Sequence, residues 1–191
     1  HSRVLDAGAG TGKGSAPLMH RRISVIAAEP SIPMMTQGIR SHPGLRYVCS
    51  RAEQLPFPDE YFDLAMSAQA FHWFDAGRAI REFSRVLKPR AFFSVFWNSQ
   101  DTARDHMRFF EQLIAKYNPG HEEQYRDKDW GTVIETGGLF AVVDRKHLSF
   151  DVPMTVDDWV GLARSVSYIR VVGDEKMIDF EKELRDGMSA Y

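Results

Sequence analysis

The residues best placed to do chemistry stand at the start of the chain, Val4-Leu5-Asp6-Ala7-Gly8-Ala9-Gly10-Thr11-Gly12. A short apolar run ends on an acid, and three glycines then alternate with small residues. This is the pattern of a buried strand turning abruptly into a helix. The glycines let the backbone approach a ligand and take angles that a Cβ would forbid. The helix is expected to offer unpaired N–H groups at its start. Spacing sorts the ligands such a loop could take. A P-loop needs Gly, four residues, then Gly-Lys-Ser/Thr; here its first glycine falls on Ala7 and its hydroxyl on Gly14. The dinucleotide pattern G-x-G-x-x-G ends on Lys13 when started at Gly8 and on Ser15 when started at Gly10. Both fail. A tight turn without a ligand is the plain alternative.

These residues need elements to position them. Near-continuous apolar runs predict strands at Arg3–Leu5, Ile23–Ala28, Leu45–Cys49, Phe62–Ser67 and Phe92–Trp97, each buried on both faces. Between them lie helical patterns. Ile80, Phe83, Val86 and Leu87 share one stripe, with Asp75 placed as N-cap and Pro89 as stop. Further helices are expected around Met107–Tyr117 and Val133–Ile134, from a Thr155/Asp158 capping box onward, and over Asp174–Met188. Alternation over Val142–Val152 predicts a sixth strand. The order is that of an α/β fold: a doubly wound, mostly parallel sheet with helices on both faces. One domain is expected, residues 1–98 as its cofactor-binding core and residues 99–191 shaping the substrate side.

Composition narrows the classes. The chain has 191 residues, 43% hydrophobic and 26% charged, as one soluble globular domain would. A net charge of −2 gives no basis for a broad nucleic-acid or membrane surface. One cysteine, Cys49, excludes an internal disulfide and a cysteine-built zinc site, and its apolar context predicts a buried thiol. No metal site is expected. Neither a signal peptide nor a membrane span is evident, so a reducing cytoplasm is the expected compartment.

In such sheets ligands sit beyond the carboxyl ends of the strands. After the second strand comes Glu29, about twenty residues past the glycine loop, where an acid can accept both ribose hydroxyls. Pro30 and Met34 could flank a flat base. After the third strand, a backbone N–H near Ala52 or the Glu53 carboxylate could read the edge of that base. After the fourth come Gln69, Phe71, His72 and Trp73, an aromatic group expected to face the reacting centre and line a substrate pocket.

The stretches VLDAGAGTGKGS, AAEPSIPMM, RAEQLPFPDEYFDLAMSAQAFHWFD and REFSRVLKP, in this order, resemble the class I S-adenosylmethionine (SAM)-dependent methyltransferases of the methyltransferase type 11 group. AQAFHWFD, VFWN and SYI look most like its trans-aconitate methyltransferase-like branch. The resemblance is strong through Asn98 and weaker beyond. It implies a Rossmann-like methyltransferase sheet, SAM as cofactor and S-adenosylhomocysteine as product. It implies that Asp6, Gly8, Gly10 and Gly12 hold the methionine end, that Glu29 binds the ribose, that Ala52 and Glu53 border the adenine, and that Gln69 approaches the methionine. The family usually has Lys-Pro-Gly-Gly where this chain has Lys88-Pro89-Arg90-Ala91, a departure expected to cost some stability and no binding. The family's sheet has seven strands, so the chain is expected to be short at both ends.

The implied reaction is in-line methyl transfer to a small molecule, for which alignment is the main requirement. A hydroxyl or amine acceptor needs a base, and His72 is the candidate. A carboxylic acid acceptor needs none, because it is already ionised. Lys13, Arg164 and Tyr168 are weaker candidate contacts to an acidic substrate. An NAD(P)-dependent oxidoreductase and a non-catalytic SAM-binding protein are the competing functions.

Overall fold

Five apolar runs become strands and lie side by side: β1 (Arg3–Ala7), β2 (Ser24–Ala28), β3 (Arg46–Val48), β4 (Phe62–Ala68) and β5 (Leu87–Phe96). All pairs are parallel, in the order β3-β2-β1-β4-β5. The order reverses at β1, so the loops after β1, β2 and β4 meet at one end of the sheet. The computed structural model describes residues 2–19, 21, 23–119, 128–165, 169 and 172–191. They form two compact units, His1–Asn98 with Asp129–Arg145, and Ser99–Lys128 with Lys146–Tyr191.

In the first unit the central strands are buried and the edge strands are half-open. Val4, Leu5, Asp6 and Ala7 are all buried in β1, whereas Arg46 in β3 is exposed. The helices here are α1 (Ala16–Met19), α2 (Ile32–Ser41) and α3 (Ala76–Val86). Asp75 caps α3 by accepting from the Arg78 N–H at 3.0 Å. That turns Ala79, Ile80, Phe83 and Val86 into the core against Leu5, Phe62 and Phe71. The helix ends at Val86, earlier than Pro89, because Leu87 already pairs with Phe62 of β4. Three extra β5 residues are then accommodated between the Leu87 and Phe92 pairings, and Arg90 takes a left-handed φ of 65° there.

Helices α4 (Asp105–Tyr117), α6 (Val156–Ser165) and α7 (Asp174–Met188) build the second unit. Its core is Met107, Phe110 and Ile114 from α4, Val160 and Ala163 from α6, and Phe180, Leu184 and Met188 from α7. The expected capping box is present. The Thr155 hydroxyl accepts from the Asp158 N–H at 3.2 Å, and Asp158 Oδ2 accepts from the Thr155 N–H at 2.8 Å.

Four expectations are corrected. Val142–Val152 forms no strand: it has the alternation but no ladder partner among the described residues, and Leu148 and Phe150 are 80% and 70% exposed. Cys49 is exposed, because β3 is an edge strand with one face open. Helix α1 is a single turn, too short to act as a ligand-binding helix end. Residues 129–145, expected with the C-terminal part, belong to the sheet unit. Their helix α5 (Trp130–Glu135) stacks Trp130 on Trp97 and sends Ile134 into the core.

Candidate cofactor site

The loop after β1 is left-handed at each of its alternating glycines, with φ of 71° at Gly8, 57° at Gly10 and 82° at Gly12. Only glycine takes such angles repeatedly at low cost. At Gly8 close approach adds a second reason: a Cβ would stand 2.6 Å from the Ala70 Cβ and 3.0 Å from the Phe74 ring. The loop therefore lies directly against the segment after β4.

Four of its backbone donors are used inside the protein. The N–H groups of Gly8 and Ala9 donate to the Ala28 carbonyl at 2.9 and 3.2 Å, and that of Gly12 to the Ala9 carbonyl at 2.9 Å. The Gly10 N–H donates to Glu29 Oε2 at 2.9 Å, and the other carboxylate oxygen accepts from the Ser31 N–H at 2.8 Å. Glu29 is only 6% exposed. It is a clasp between the two loops, not a solvated surface acid.

Beneath the loop lies Asp6, 1% exposed. Its Oδ2 accepts from the Ser15 hydroxyl at 2.7 Å, while Oδ1 has no hydrogen-bond partner. Burial, and secondarily the charge of Glu29, push its pKa up to about 6 against the bond from Ser15. A buried carboxyl oxygen without a donor is costly. It suits a cationic or N–H-bearing ligand and repels an anion.

Tyr47 on β3 braces the loop from the other side, donating to the Gly10 carbonyl at 3.3 Å. Burial first, then the charges of Asp6 and Glu29, raise its pKa. Helix α2 comes close only because residue 38 is glycine: a Cβ there would lie 2.0 Å from the Tyr47 hydroxyl. Neither Tyr47, Gly38 nor Ser15 stood out in the sequence. Ser15 could have been found as the first hydroxyl after the glycines; Tyr47 and Gly38 carry no local pattern.

Of the expected site residues, Asp6, Gly10, Glu29 and Met34 come together. The Met34 methyl would lie 3.0 Å from a Cβ on Gly10, and Pro30 is exposed beside Glu29. Ala52 is buried in the core. Glu53 has a structural bond instead: its Oε1 accepts from the Asp75 N–H at 2.8 Å, tying this loop to α3. Gln69 is exposed, left-handed at φ 58°, and donates from Nε2 to the Asn98 carbonyl at 3.2 Å.

Phe71 is corrected from pocket wall to core residue. Fully buried, its ring packs on Phe74, Phe93 and Trp130. Trp73 is 72% exposed. His72 Nδ1 accepts from the indole N–H of Trp97 at 3.1 Å, and burial lowers its pKa. The imidazole is thus neutral at neutral pH. An indole only donates, so the ring proton sits on Nε2. Arg164 forks onto Glu181 in the second unit, with bonds of 2.5 and 2.9 Å, and is already paired. Lys13 is exposed, and Tyr168 lies outside the described residues. Among the described residues no cluster of His, Cys, Asp or Glu could hold a metal ion, and no helix is long and apolar enough to cross a membrane.

Residues 5–95 match the family described as a methyltransferase domain, Methyltransf_11. An uncharacterised methyltransferase of Mycobacterium tuberculosis (strain H37Rv) is 38% identical over 167 residues, covering 87% of this chain and 65% of that protein. The chain thus spans just under two thirds of that relative's length. The malonyl-[acyl-carrier protein] O-methyltransferase of Pseudescherichia vulneris is 38% identical over 87 residues, 45% of this chain and 35% of that protein. A putative methyltransferase from an antibiotic biosynthesis pathway of Anabaena variabilis shares the fold, with a TM-score of 0.65 over 97% of this chain and 78% of that chain at 20% identity. Over residues 5–95 the chain is thus similar in sequence to a methyltransferase domain, and its parallel sheet and glycine loop have the fold of the solved methyltransferase compared with it.

Proposed function

We propose that the protein transfers a methyl group from SAM to a carboxylate oxygen of a small molecule. The observation that carries the cofactor reading is the unpartnered, buried Oδ1 of Asp6 under a loop whose Gly8, Ala9, Gly10 and Gly12 N–H groups all donate within the protein. A dinucleotide pyrophosphate needs backbone N–H donors and tolerates no carboxyl floor. SAM brings a cation, so the residues present fit it and disfavour NAD(P).

When bound, SAM supplies a methyl group made electrophilic by its sulfonium. The chain's own residues do the rest. Asp6 Oδ1 accepts from the α-ammonium. Glu29 keeps its clasp and accepts ribose hydroxyls with its remaining lone pairs. Pro30 and Met34 cover the adenine, and the Ala52 backbone with Glu53 borders its edge. Gln69 meets the methionine moiety. His72 and Trp73 stand toward the acceptor.

The engaged Nδ1 of His72 favours the acid acceptor. A phenol or amine needs a base, and the Nδ1 lone pair of His72 is engaged by Trp97. A carboxylate needs only alignment and the exclusion of water. The relative named for O-methylation of malonyl-[acyl-carrier protein] supports the same reading.

Calorimetry with SAM and with NADH, then methyl transfer from labelled SAM across acids, phenols and amines, tests this. SAM binding and a base-labile methyl ester are expected. Binding of NADH alone would overturn the cofactor reading. Methylation of amines or phenols alone would overturn the acceptor. SAM binding without S-adenosylhomocysteine formation on any acceptor would favour a non-catalytic protein.

A further inference from the structure

Ser15 takes no part in the contacts proposed above for SAM, yet it is completely buried. It stands where the glycine loop runs into α1, and its hydroxyl makes a side-chain bond into the core of the site, 2.7 Å to Asp6 Oδ2. A buried serine that only filled space would be replaceable by alanine, because a hydroxyl gains little unless it bonds. This one bonds the group whose other oxygen lacks a donor.

The surroundings of Asp6 make that bond consequential. The Glu29 carboxylate faces it from the turn after β2, and the Tyr47 hydroxyl feels both carboxyls from β3. Met66 on β4, its register partner, is apolar. Burial and a like charge therefore both favour the protonated acid, and the Ser15 hydroxyl opposes them.

We propose that Ser15 is a positioning residue for the cofactor: its hydroxyl holds Asp6 Oδ2, keeps the carboxyl ionised beside Glu29, and so reserves Oδ1 for the ammonium of the ligand. The proposal rests on the SAM reading above. It sets the pH window of binding. Only ionised Asp6 attracts an ammonium, so affinity falls as pH drops through the Asp6 midpoint, and losing Ser15 moves that midpoint upward.

The test is Ser15→Ala in the full-length protein, with SAM affinity measured by calorimetry from pH 5 to pH 8. The amine of SAM titrates alike in both arms, so the ratio of the two dissociation constants isolates the protein. A midpoint raised by about one pH unit gives a ratio of about tenfold at pH 5 that shrinks toward unity at pH 8. A ratio constant across pH would mean that Ser15 only packs, and would overturn the proposal. The second measurement needs no ligand: the side-chain carboxyl carbon of Asp6, followed by NMR, titrates at higher pH in S15A than in wild type. An unmoved titration overturns the proposal whatever SAM does. A moved titration in a protein that binds no SAM at any pH overturns the cofactor reading, and with it the service of Ser15 to that ligand.

Discussion

Asp6 is held in a costly state by the fold around it. Its carboxyl is buried, beside Glu29, with one oxygen unpartnered and a pKa pushed up to about 6. The unfolded chain would titrate this group near its ordinary value of about 4. Between those two values the folded protein holds the extra proton. The favourable contribution of the protonated form is therefore complete below about pH 4 and lost as pH rises through about 6. Asp6→Asn has no such titration, so wild type should lose about 3 kcal/mol relative to it between pH 4 and pH 8, read by urea unfolding. Equal pH profiles for the two proteins would show that Asp6 is not perturbed. The same substitution should weaken SAM, since the site would then trade ligand affinity for stability. Glu29 behaves differently. It already bonds the Gly10 and Ser31 N–H groups, so Glu29→Ala removes both the clasp and the ribose contact. SAM affinity should fall by about tenfold or more by calorimetry, and an unchanged affinity would place the ribose elsewhere.

At the scale of elements, the irregular entry into β5 is the place where sequence and geometry disagree. Arg90 occupies a left-handed φ of 65° in the stretch where β5 carries extra residues against β4. The Cβ of arginine makes that conformation cost about 1 kcal/mol. Arg90→Gly should raise the stability by up to that amount, seen as a higher melting temperature with SAM affinity unchanged; a lower melting temperature would mean that the guanidinium side chain earns its place. The departure from Lys-Pro-Gly-Gly was visible in the sequence, and so were the five sheet strands, because each is an apolar run bounded by turns. The glycine loop and Glu29 were legible for the same reason: their spacing is local. The loss of the sixth strand was not legible, since Val142–Val152 has the right alternation and a ladder depends on a neighbour. Nor were Tyr47 over Gly38 and Trp97 on His72, contacts between different elements that no local pattern encodes. Phe71 misled for a related reason. Its neighbours His72 and Trp73 are accessible, but a single turn of 3-10 helix over Phe71–Trp73 points successive side chains in different directions.

At the scale of the whole molecule, apolar surface stands open in the described residues. Leu148 and Phe150 are 80% and 70% exposed, and β5 has a ladder neighbour on one side only. Exposed apolar runs and unpaired strand edges promote association. Replacing Leu148 and Phe150 together by lysine should reduce self-association of the 191-residue chain in analytical ultracentrifugation, with unfolding free energy changed by less than about 0.5 kcal/mol. A marked loss of stability would show that these side chains are covered in solution.

The Glu29 clasp also bears on how fast a ligand can be accepted. Because Oε1 and Oε2 tie Ser31 and Gly10 together through the chain's own groups, the ordering of both loops belongs to folding and is not left to the encounter. Preorganised sites spend less of their contact energy on ordering. The Gly10 and Ser31 amides should accordingly resist hydrogen–deuterium exchange before SAM is added and gain little protection after it. Amides that exchange freely until the cofactor arrives would instead describe a cradle assembled around its guest.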